Sequence, residues 1–304
     1  MNTLELIQVR KTYDKFVAVD DLSFNIAQGT MFGLLGPNGA GKTSTIRMMM
    51  GITLPDAGEV RMFGEPFRRK HLERVGYLPE ERGLYPKMKV LEQLVFLGQT
   101  HGLTANDAKQ KANAWGERLE IAESFGKKTN ELSKGMQQKI QFIATLMHDP
   151  EFIVMDEPFS GLDPVNSKIL ENVLVELNRK GRTILFSSHR MDQVEKLCDS
   201  ICLVNKGQAI LKGELKAVKA KYGRDTVQIA FEENGSVDAG FLRNNAMVQA
   251  LDHYEGHIQL RLAPGSDAQQ LLRDVAGRSR LHRFEVMEPS LEDIFIDVVG
   301  KSNA

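Results

Sequence analysis

The residues best suited to chemistry lie in one glycine-rich segment near the start of the chain. This segment fits the pattern G-x-x-x-x-G-K-[ST] and reads Gly36-Pro37-Asn38-Gly39-Ala40-Gly41-Lys42-Thr43, followed by Ser44. Glycines let successive backbone N–H groups point at one anion, the lysine places a positive charge beside phosphate, and the threonine hydroxyl can bind Mg²⁺. The spacing therefore predicts a loop that holds the phosphates of a nucleoside triphosphate.

The sequence on either side of this loop has the elements that would position it. Thr30 to Leu35 is a short apolar run typical of a buried strand, and Thr43 to Met50 lacks glycine and proline and favours a helix. A helix N-terminus is itself an anion site, because its first backbone N–H groups have no partner within the helix. The order of strand, loop and helix would therefore direct the loop and the helix start at the same phosphates.

A pair of carboxylates follows a second apolar run. Phe152 to Met155 is apolar and ends at Asp156 and Glu157, as expected of a buried parallel strand whose carboxyl end faces a ligand. Asp156 could hold Mg²⁺ opposite Thr43, and Glu157 could orient a water for attack on the terminal phosphate. A strand that only meets a capped helix would also end in acidic residues, so on the pattern alone this alternative stays open.

Composition limits the remaining possibilities. The chain has 39 Lys and Arg against 40 Asp and Glu, so its net charge gives no indication of nucleic-acid binding. Cys198 and Cys202 are too few for a disulfide framework or a zinc site, and we expect buried free thiols. No apolar run approaches the roughly 18 residues of a membrane span, and the first residues do not resemble a signal peptide. We expect a cytoplasmic protein whose membrane role would depend on a partner.

A third segment favours a capped helix and reads Leu132-Ser133-Lys134-Gly135-Met136-Gln137-Gln138. Ser133 is a good N-cap, and its hydroxyl together with the Gly135 N–H would form an anion site at the helix start. The chain then adds Ser160-Gly161-Leu162-Asp163 and, after an apolar strand at 183–186, Ser187-Ser188-His189. In this order the five motifs resemble those of the ATP-binding subunits of ABC transporters, over roughly residues 1–220.

The resemblance implies ATP and Mg²⁺ as ligands and a role for each matching residue within one chain. Tyr13 matches the aromatic residue that stacks on adenine, although a strand-edge tyrosine is the other interpretation. Residues 38–43, with Lys42, would hold the β- and γ-phosphates. Thr43 and Asp156 would assist Mg²⁺, and Glu157 would be the general base.

Other matching positions imply a switch and a second subunit. His189 would contact the γ-phosphate as a switch residue. Ser133 and Gly135 would reach the γ-phosphate of a nucleotide held by the opposite subunit, and Asp163 would link the two sites across the dimer. The partner could be a second copy of this chain or a different ATP-binding subunit.

Two departures from the usual family pattern indicate which branch of the family the chain resembles. Lys134 and Met136 replace a glycine and the glutamine of Leu-Ser-Gly-Gly-Gln, but the residues expected to contact phosphate remain. Glu80, within residues 76–83, stands where the family carries a mobile glutamine; a carboxylate can bind Mg²⁺ but adds negative charge near the phosphates. Both runs are similar to those of the sodium- and drug-export branch, which pairs such subunits with a separate membrane permease.

The resemblance also implies the fold. We expect an α/β phosphate-loop core, an accessory antiparallel sheet that includes residues 4–9 and 22–26, and a helical subdomain over about 88–147, all within an ATP-binding domain at 1–220. After Tyr222-Gly223, alternating runs at 226–231, 257–262 and 281–287 predict strands, and 267–275 and the segment from Pro289 predict helices. Residues 221–304 are therefore expected to form a small α+β domain without catalytic residues.

These features predict an ATPase that powers an integral-membrane permease. It would act as a peripheral subunit at the cytoplasmic face of the cell membrane and export ions or drug-like compounds through ATP-driven dimerisation. The alternative is a soluble ABC-type ATPase that works as a mechanochemical factor without a permease, although such factors usually carry two cassettes or a coiled-coil insertion. A kinase is a further rival, which the motif at 132–138 and His189 argue against. Nucleic acid is not an expected partner.

Overall fold

The computed structural model of the chain describes residues 1–81, 83–222, 226–232 and 239–302. These residues belong to two compact units, Met1–Leu215 and Lys216–Ala304. The sequence places the domain boundary after residue 220, and the change of pattern expected at Gly223 lies outside the described residues.

The first unit combines two sheets with a group of helices. Its strands are β1 (Asn2–Tyr13), β2 (Phe16–Ala27), β3 (Met31–Leu35), β4 (Ala57–Met62), β5 (Glu65–Pro66), β6 (Val75–Leu78), β7 (Phe152–Asp156), β8 (Thr183–Ser188), β9 (Ser200–Asn205) and β10 (Gln208–Glu214). Its α-helices are α1 (Lys42–Met49), α2 (Val90–Thr100), α3 (Ala105–Arg118), α4 (Lys134–Leu146), α5 (Pro164–Arg179) and α6 (Met191–Leu197).

The core sheet has the strand order β10-β9-β3-β8-β7-β6, and its members from β9 to β6 run parallel. Every residue of β3, β7 and β8 is buried, as expected for parallel strands covered on both faces. Their residues are apolar or glycine except Asp156, Thr183, Ser187 and Ser188. The register places Leu35 beside Ser188 and Asp156 beside Ser187. The carboxyl ends of the three strands therefore meet at one edge of the sheet.

The accessory sheet is antiparallel, as expected, with the order β2-β1-β4-β5. β1 and β2 each span 12 residues and are longer than the apolar runs at 4–9 and 22–26 that predicted them. Irregularities in their pairing accompany the positive φ values of Gln8 and Asp21, 49° and 50°. Such bulges let a strand continue through polar residues whose side chains face water.

The helical region predicted at 88–147 contains α2, α3 and α4. Ser133 caps α4 as the sequence predicts, because its hydroxyl accepts a hydrogen bond from the Met136 N–H at 3.2 Å. Thr104 caps α3 in the same way through the Asp107 N–H at 3.1 Å. Each cap fixes where its helix begins.

The second unit forms a small α+β domain, as expected. It consists of α7 (Leu215–Lys221, which starts at the boundary), β11 (Thr226–Phe231), α8 (Ala239–Arg243), β12 (Val248–Tyr254), β13 (His257–Leu262), α9 (Ala268–Ala276), β14 (Leu281–Met287) and α10 (Leu291–Ser302). The sheet order is β12-β13-β11-β14 with antiparallel neighbours. From β11 to β14 this is the β-α-β-β-α-β arrangement of ferredoxin-like domains. The sequence did not indicate α8 or β12.

Inward-facing apolar side chains of this sheet pack against its helices. The core consists of Val227, Ile229, Leu242, Ile258, Leu260, Leu262, Leu271 and Val275. β13 contributes every second residue from Ile258 to Leu262, which is the period of a strand with one buried face. The buried face therefore explains why the sequence predicted β13 within its correct bounds.

Two expectations from composition can be compared with the structure. Cys198 and Cys202 are buried free thiols, as expected, and burial raises the pKa of Cys202 to about 12. Within the described ranges, every helix is too short or too polar to cross a bilayer.

Candidate active site

A cavity of 320 Å³ opens where the carboxyl ends of the core strands meet. We call it the loop cavity; its lining consists of Phe16, Ala18, Asn38, Gly39, Ala40, Gly41, Lys42, Thr43, Ser44, Glu80 and Glu157. The structure thus brings most of the glycine-rich loop together with two of the predicted carboxylates, although these residues are far apart in the sequence.

Two glycines hold the loop against the neighbouring strands. Gly36 has a φ of 150° and Gly41 a φ of 106°, values that residues with a side chain rarely adopt. A Cβ at Gly36 would lie 2.2 Å from the Val204 carbonyl oxygen, and one at Gly41 would lie 2.4 Å from that of Ala18. Glycine is therefore required at both positions by conformation and by space.

Lys42 is the first residue of α1 and reaches back across the loop. Its Nζ donates hydrogen bonds to the carbonyl oxygens of Gly36 and Pro37, at 2.7 and 3.1 Å, and lies 3.8 Å from Glu157 Oε1. Burial lowers the pKa of this ammonium, an effect opposed chiefly by the charge of Glu157. The ammonium is therefore close to acceptors that phosphate oxygens could replace.

Asp156 is fully buried at the end of β7 beside Ser187 of β8. The Ser187 hydroxyl donates a hydrogen bond to Asp156 Oδ1 and accepts one from the Glu157 N–H at 3.0 Å. Among the described residues Asp156 Oδ2 has no hydrogen-bond partner, although it is buried. An unpaired buried carboxylate oxygen is costly, so this atom is suited to a ligand.

Glu157 follows β7 with a φ of 50°, a left-handed conformation that costs a residue with a side chain roughly 1 kcal/mol. Its Oε1 lies 3.0 Å from His189 Nδ1 and 3.8 Å from Lys42 Nζ. Glu157 therefore contacts both of the other predicted catalytic residues, Lys42 and His189. Lys42 and Glu157 line the loop cavity, whereas His189 is not part of its lining.

Glu80, rather than its neighbour Glu81, faces the loop cavity. Glu80 is part of the lining, and its charge acts on Lys42. The Glu81 side chain is 89% exposed and lies 3.8 Å from Arg47 Nη2. The structure therefore places Glu80 where the sequence analysis expects a metal ligand.

The residues predicted to bind Mg²⁺ can be tested against the donors that this ion prefers. Mg²⁺ takes hard oxygen ligands and usually keeps several waters. Thr43 and Glu80 line the loop cavity, and Asp156 offers an unpaired buried oxygen. These oxygens suit Mg²⁺, so the donor set fits the ion.

Ser133, Gly135 and Asp163 do not line the loop cavity. Ser133 is exposed at the start of α4, and a Cβ at Gly135 would lie 3.5 Å from Leu162, the chain neighbour of Asp163. Asp163 caps α5 by accepting the Asn166 N–H at 2.9 Å, which lowers its pKa. These three residues therefore lie outside the loop cavity of their own chain.

Tyr13 also lies outside the lining of the loop cavity. The β1–β2 hairpin pairs it with Phe16, and Lys11 Nζ lies 5.7 Å from the centroid of the Tyr13 ring. Phe16 is 63% exposed and belongs to the lining. The sequence analysis missed Phe16, because it follows a turn without a motif and only the hairpin pairing brings it to the cavity.

Matches to known families cover both units. Residues 19–160 match the family described as ABC transporter. Residues 213–299 match the family described as ATP-binding protein DrrA1-3-like, C-terminal domain.

Known relatives extend the match to nearly the whole chain. The uncharacterized ABC transporter ATP-binding protein YhaQ of Bacillus subtilis (strain 168) is 42% identical over 98% of this chain and 98% of its own. The linearmycin resistance ATP-binding protein LnrL of the same organism is 31% identical over 98% and 99%. The Nod factor export ATP-binding protein I of Burkholderia pseudomallei (strain 1710b) is 38% identical over 98% and 97%.

A solved structure described as the ATP binding subunit of an ABC transporter has the same fold as the first unit. It matches with a TM-score of 0.67 and 27% identity, over 73% of this chain and 93% of that one. The phosphate loop, the paired carboxylates and the accessory sheet thus define an ABC ATPase, a class that couples ATP hydrolysis to transport. The chain belongs to the ATP-binding proteins of ABC transporters, and its second unit is a DrrA-like C-terminal domain.

Proposed function

We propose that this chain hydrolyses ATP to power a separate integral-membrane permease that exports ions or drug-like compounds. The observation that carries the proposal is the contact of Glu157 with both Lys42 and His189 at the loop cavity. A general base must lie beside the water that it activates and close to the phosphate under attack. Glu157 lines the loop cavity close to Lys42, so it would meet both requirements when ATP is bound.

The residues of the loop cavity divide the work of ATP hydrolysis. Backbone N–H groups of residues 38–44 and Lys42 would bind the β- and γ-phosphate oxygens. Mg²⁺, held by Thr43, Glu80 and Asp156, would neutralise phosphate charge. Glu157 would accept a proton from the attacking water, and His189 would hold that carboxylate in place. Phe16 would stack on the adenine ring, with Tyr13 as the other candidate.

A second ATP-binding subunit would complete each site. Ser133 is exposed at the N-terminus of α4, a helix of 13 residues, and a free helix N-terminus attracts phosphate. Since Ser133 and Gly135 do not line their own cavity, we infer that they bind the γ-phosphate held by a partner subunit. ATP would then join the two chains, and its hydrolysis would release them.

The relatives support an exporter. One is named for resistance to linearmycin and another for Nod factor export. We propose the same direction of transport here, with the chain at the cytoplasmic face of the membrane and with substrate choice made by the permease.

An exposed aromatic pair is the surface that best fits the permease. Tyr85 and Phe96 are 51% and 43% exposed, and their rings meet edge to face with centroids 6.1 Å apart. Exposed aromatic residues that touch each other are enriched at protein interfaces. We therefore infer that Tyr85 and Phe96 contact the permease.

Copurification from gently solubilised membranes tests this function. The tagged chain should retain an integral-membrane protein, and the Tyr85→Asp/Phe96→Asp double variant should lose it while keeping its basal ATPase activity. Tyr254→Asp changes an equally exposed aromatic residue in the other unit and serves as the control. Recovery of a soluble complex without any membrane protein would instead favour the mechanochemical factor.

A further inference from the structure

We propose that Ser187 is a positioning residue of the ATPase site, whose single hydroxyl sets the orientation of both catalytic carboxylates. The proposal rests on the roles given above to Asp156 and Glu157. Ser187 does not touch the loop cavity, so it would act only through these two residues.

The position of Ser187 in the core sheet allows its hydroxyl to contact both Asp156 and Glu157. It lies on β8, between β3 and β7, with Leu34 and Asp156 as its register partners. Its exposed fraction is 0%. A buried hydroxyl must find hydrogen-bond partners within the protein, and those available at this point are the acidic residues that end β7.

The Ser187 hydroxyl donates a hydrogen bond to the carboxylate of Asp156. The bond from Ser187 Oγ to Asp156 Oδ1 satisfies that oxygen and leaves Oδ2 as the unpaired, buried atom. Because the two oxygens of a carboxylate are fixed relative to each other, holding Oδ1 decides where Oδ2 points. Ser187 therefore prepares Asp156 to face Mg²⁺ with one defined oxygen.

The same hydroxyl uses its acceptor on the backbone of the other carboxylate residue. The Glu157 N–H donates to Ser187 Oγ at 3.0 Å, at a residue with a φ of 50°. A strained backbone persists only where neighbouring bonds hold it. Ser187 therefore stabilises the turn that directs Glu157 towards Lys42 and His189.

The next residue shows that this arrangement is specific to Ser187. Ser188 is also buried, but its hydroxyl accepts the Arg190 N–H at 3.0 Å. Adjacent residues of a strand face opposite sides, so a serine one position along cannot reach the carboxylates.

A matched pair of variants tests the proposal. Ser187→Thr keeps the hydroxyl, whereas Ser187→Val has nearly the same shape without it. We expect kcat of the valine variant to fall about 10- to 100-fold below that of the threonine variant, as for other residues that orient a metal ligand. Ser187→Ala repeats the comparison without added volume, and thermal unfolding shows that each variant is folded.

A binding measurement provides a readout independent of turnover. In the Glu157→Gln background, calorimetry would give the Kd of ATP with Mg²⁺ and with EDTA, and the ratio of these values measures the coupling of metal to nucleotide. This ratio should shrink about tenfold for Ser187→Val and not for Ser187→Thr. Equal values for the two variants, either of kcat or of the ratio, would overturn the role of Ser187. Full ATPase activity of Glu157→Gln alone would instead overturn the proposed role of Glu157 as the general base.

Discussion

At the scale of single residues, two neighbouring side chains restrain the carboxylate of Glu157. Glu157 Oε1 lies near both Lys42 Nζ and His189 Nδ1, and the Glu157 side chain is 12% exposed. The side chain is therefore partly open to water, and two potential hydrogen-bond donors restrain its Oε1. Substitutions at Glu157 should therefore change turnover far more than nucleotide affinity.

The first prediction concerns Glu157→Gln. The amide cannot accept a proton, so ATP hydrolysis should fall by about 10² to 10⁴, while ATP binding persists and an ATP-bound dimer accumulates. Phosphate release and size-exclusion chromatography with ATP measure both effects. Glu176→Gln is the control, because Glu176 is a half-exposed residue of α5 that pairs with Arg118 and Lys180 and does not line the loop cavity. Lys42→Ala should lose nucleotide binding, and unchanged hydrolysis by Glu157→Gln would remove Glu157 from its role.

The second prediction concerns Glu80. Glu80 lines the loop cavity and is proposed to bind Mg²⁺, so Glu80→Ala should weaken Mg²⁺-dependent turnover more than ATP binding. Glu80→Gln removes a negative charge beside the phosphates and should retain or raise activity. Mg²⁺ titrations of the ATPase rate provide the measurement, with exposed Glu81→Gln as the control. If neither change at Glu80 alters the rate, Glu80 has no part in metal binding.

At the scale of elements, the sequence predicted strands and helices where one face or the whole element is buried. β11, β13 and β14 have the expected bounds because each alternates or is apolar. β12 was missed, since a register shift between Val248 and Ala250 puts its inward residues Val248 and Leu251 three apart, a helical spacing. Phe16 carries no motif, and the link from Ser187 to Asp156 depends on strand register. Neither the position of Phe16 at the loop cavity nor the hydrogen bond from Ser187 to Asp156 could be predicted from the local sequence.

A third prediction concerns the packing of the ends of α2 and α4. His101 and His148 stack there with ring centroids 3.9 Å apart, and His148 Nε2 lies 3.1 Å from the Val75 carbonyl oxygen. Burial, helped by His101, lowers the pKa of His148 to about 4. In the unfolded chain, the His148 imidazole is protonated near the usual pKa of histidine. In the folded chain, it is protonated only near pH 4. The free energy of unfolding should therefore fall on acidification, by roughly 1 kcal/mol between pH 7 and 5 after allowing for partial exposure.

Urea unfolding at pH 7 and pH 5 measures this loss. His148→Asn can still donate to the Val75 carbonyl but has no proton to gain, so its stability should depend less on pH. Lys111 and Asp149, which also face His148, are unchanged in the variant. The same pH dependence in both proteins would show that His148 does not titrate as its environment requires.

At the scale of the whole molecule, the two predicted phosphate-binding sites of one chain lie apart, and their separation determines the assembly that we expect. Ser133 and Gly135, at the start of α4, are not among the residues that line the loop cavity. If one nucleotide contacts both, it must lie between two chains, and each dimer then has two composite sites.

The fourth prediction follows from that arrangement. Lys42→Ala removes the phosphate lysine, and Gly135→Asp places a carboxylate against the γ-phosphate, where like charges repel. Each variant should be inactive alone. In a mixed dimer one site collects both defects and the other is intact, so part of the ATPase activity should return on mixing. Full activity of Gly135→Asp alone would refute the shared site. A mixed dimer that forms but has no ATPase activity would mean either that the two sites are strictly coupled or that no site is shared.

The two edge strands of the second unit affect whether copies of the chain can aggregate through its sheet. β12 and β14 are the outer members of their sheet, and an unprotected strand edge invites further strands and aggregation. Exposed Asp252 and His253 on β12, and His282, Arg283 and Glu285 on β14, place charge or imidazole along these margins. Adding a strand there would strip water from these groups. Copies of the chain at high concentration would therefore resist polymerising through this sheet.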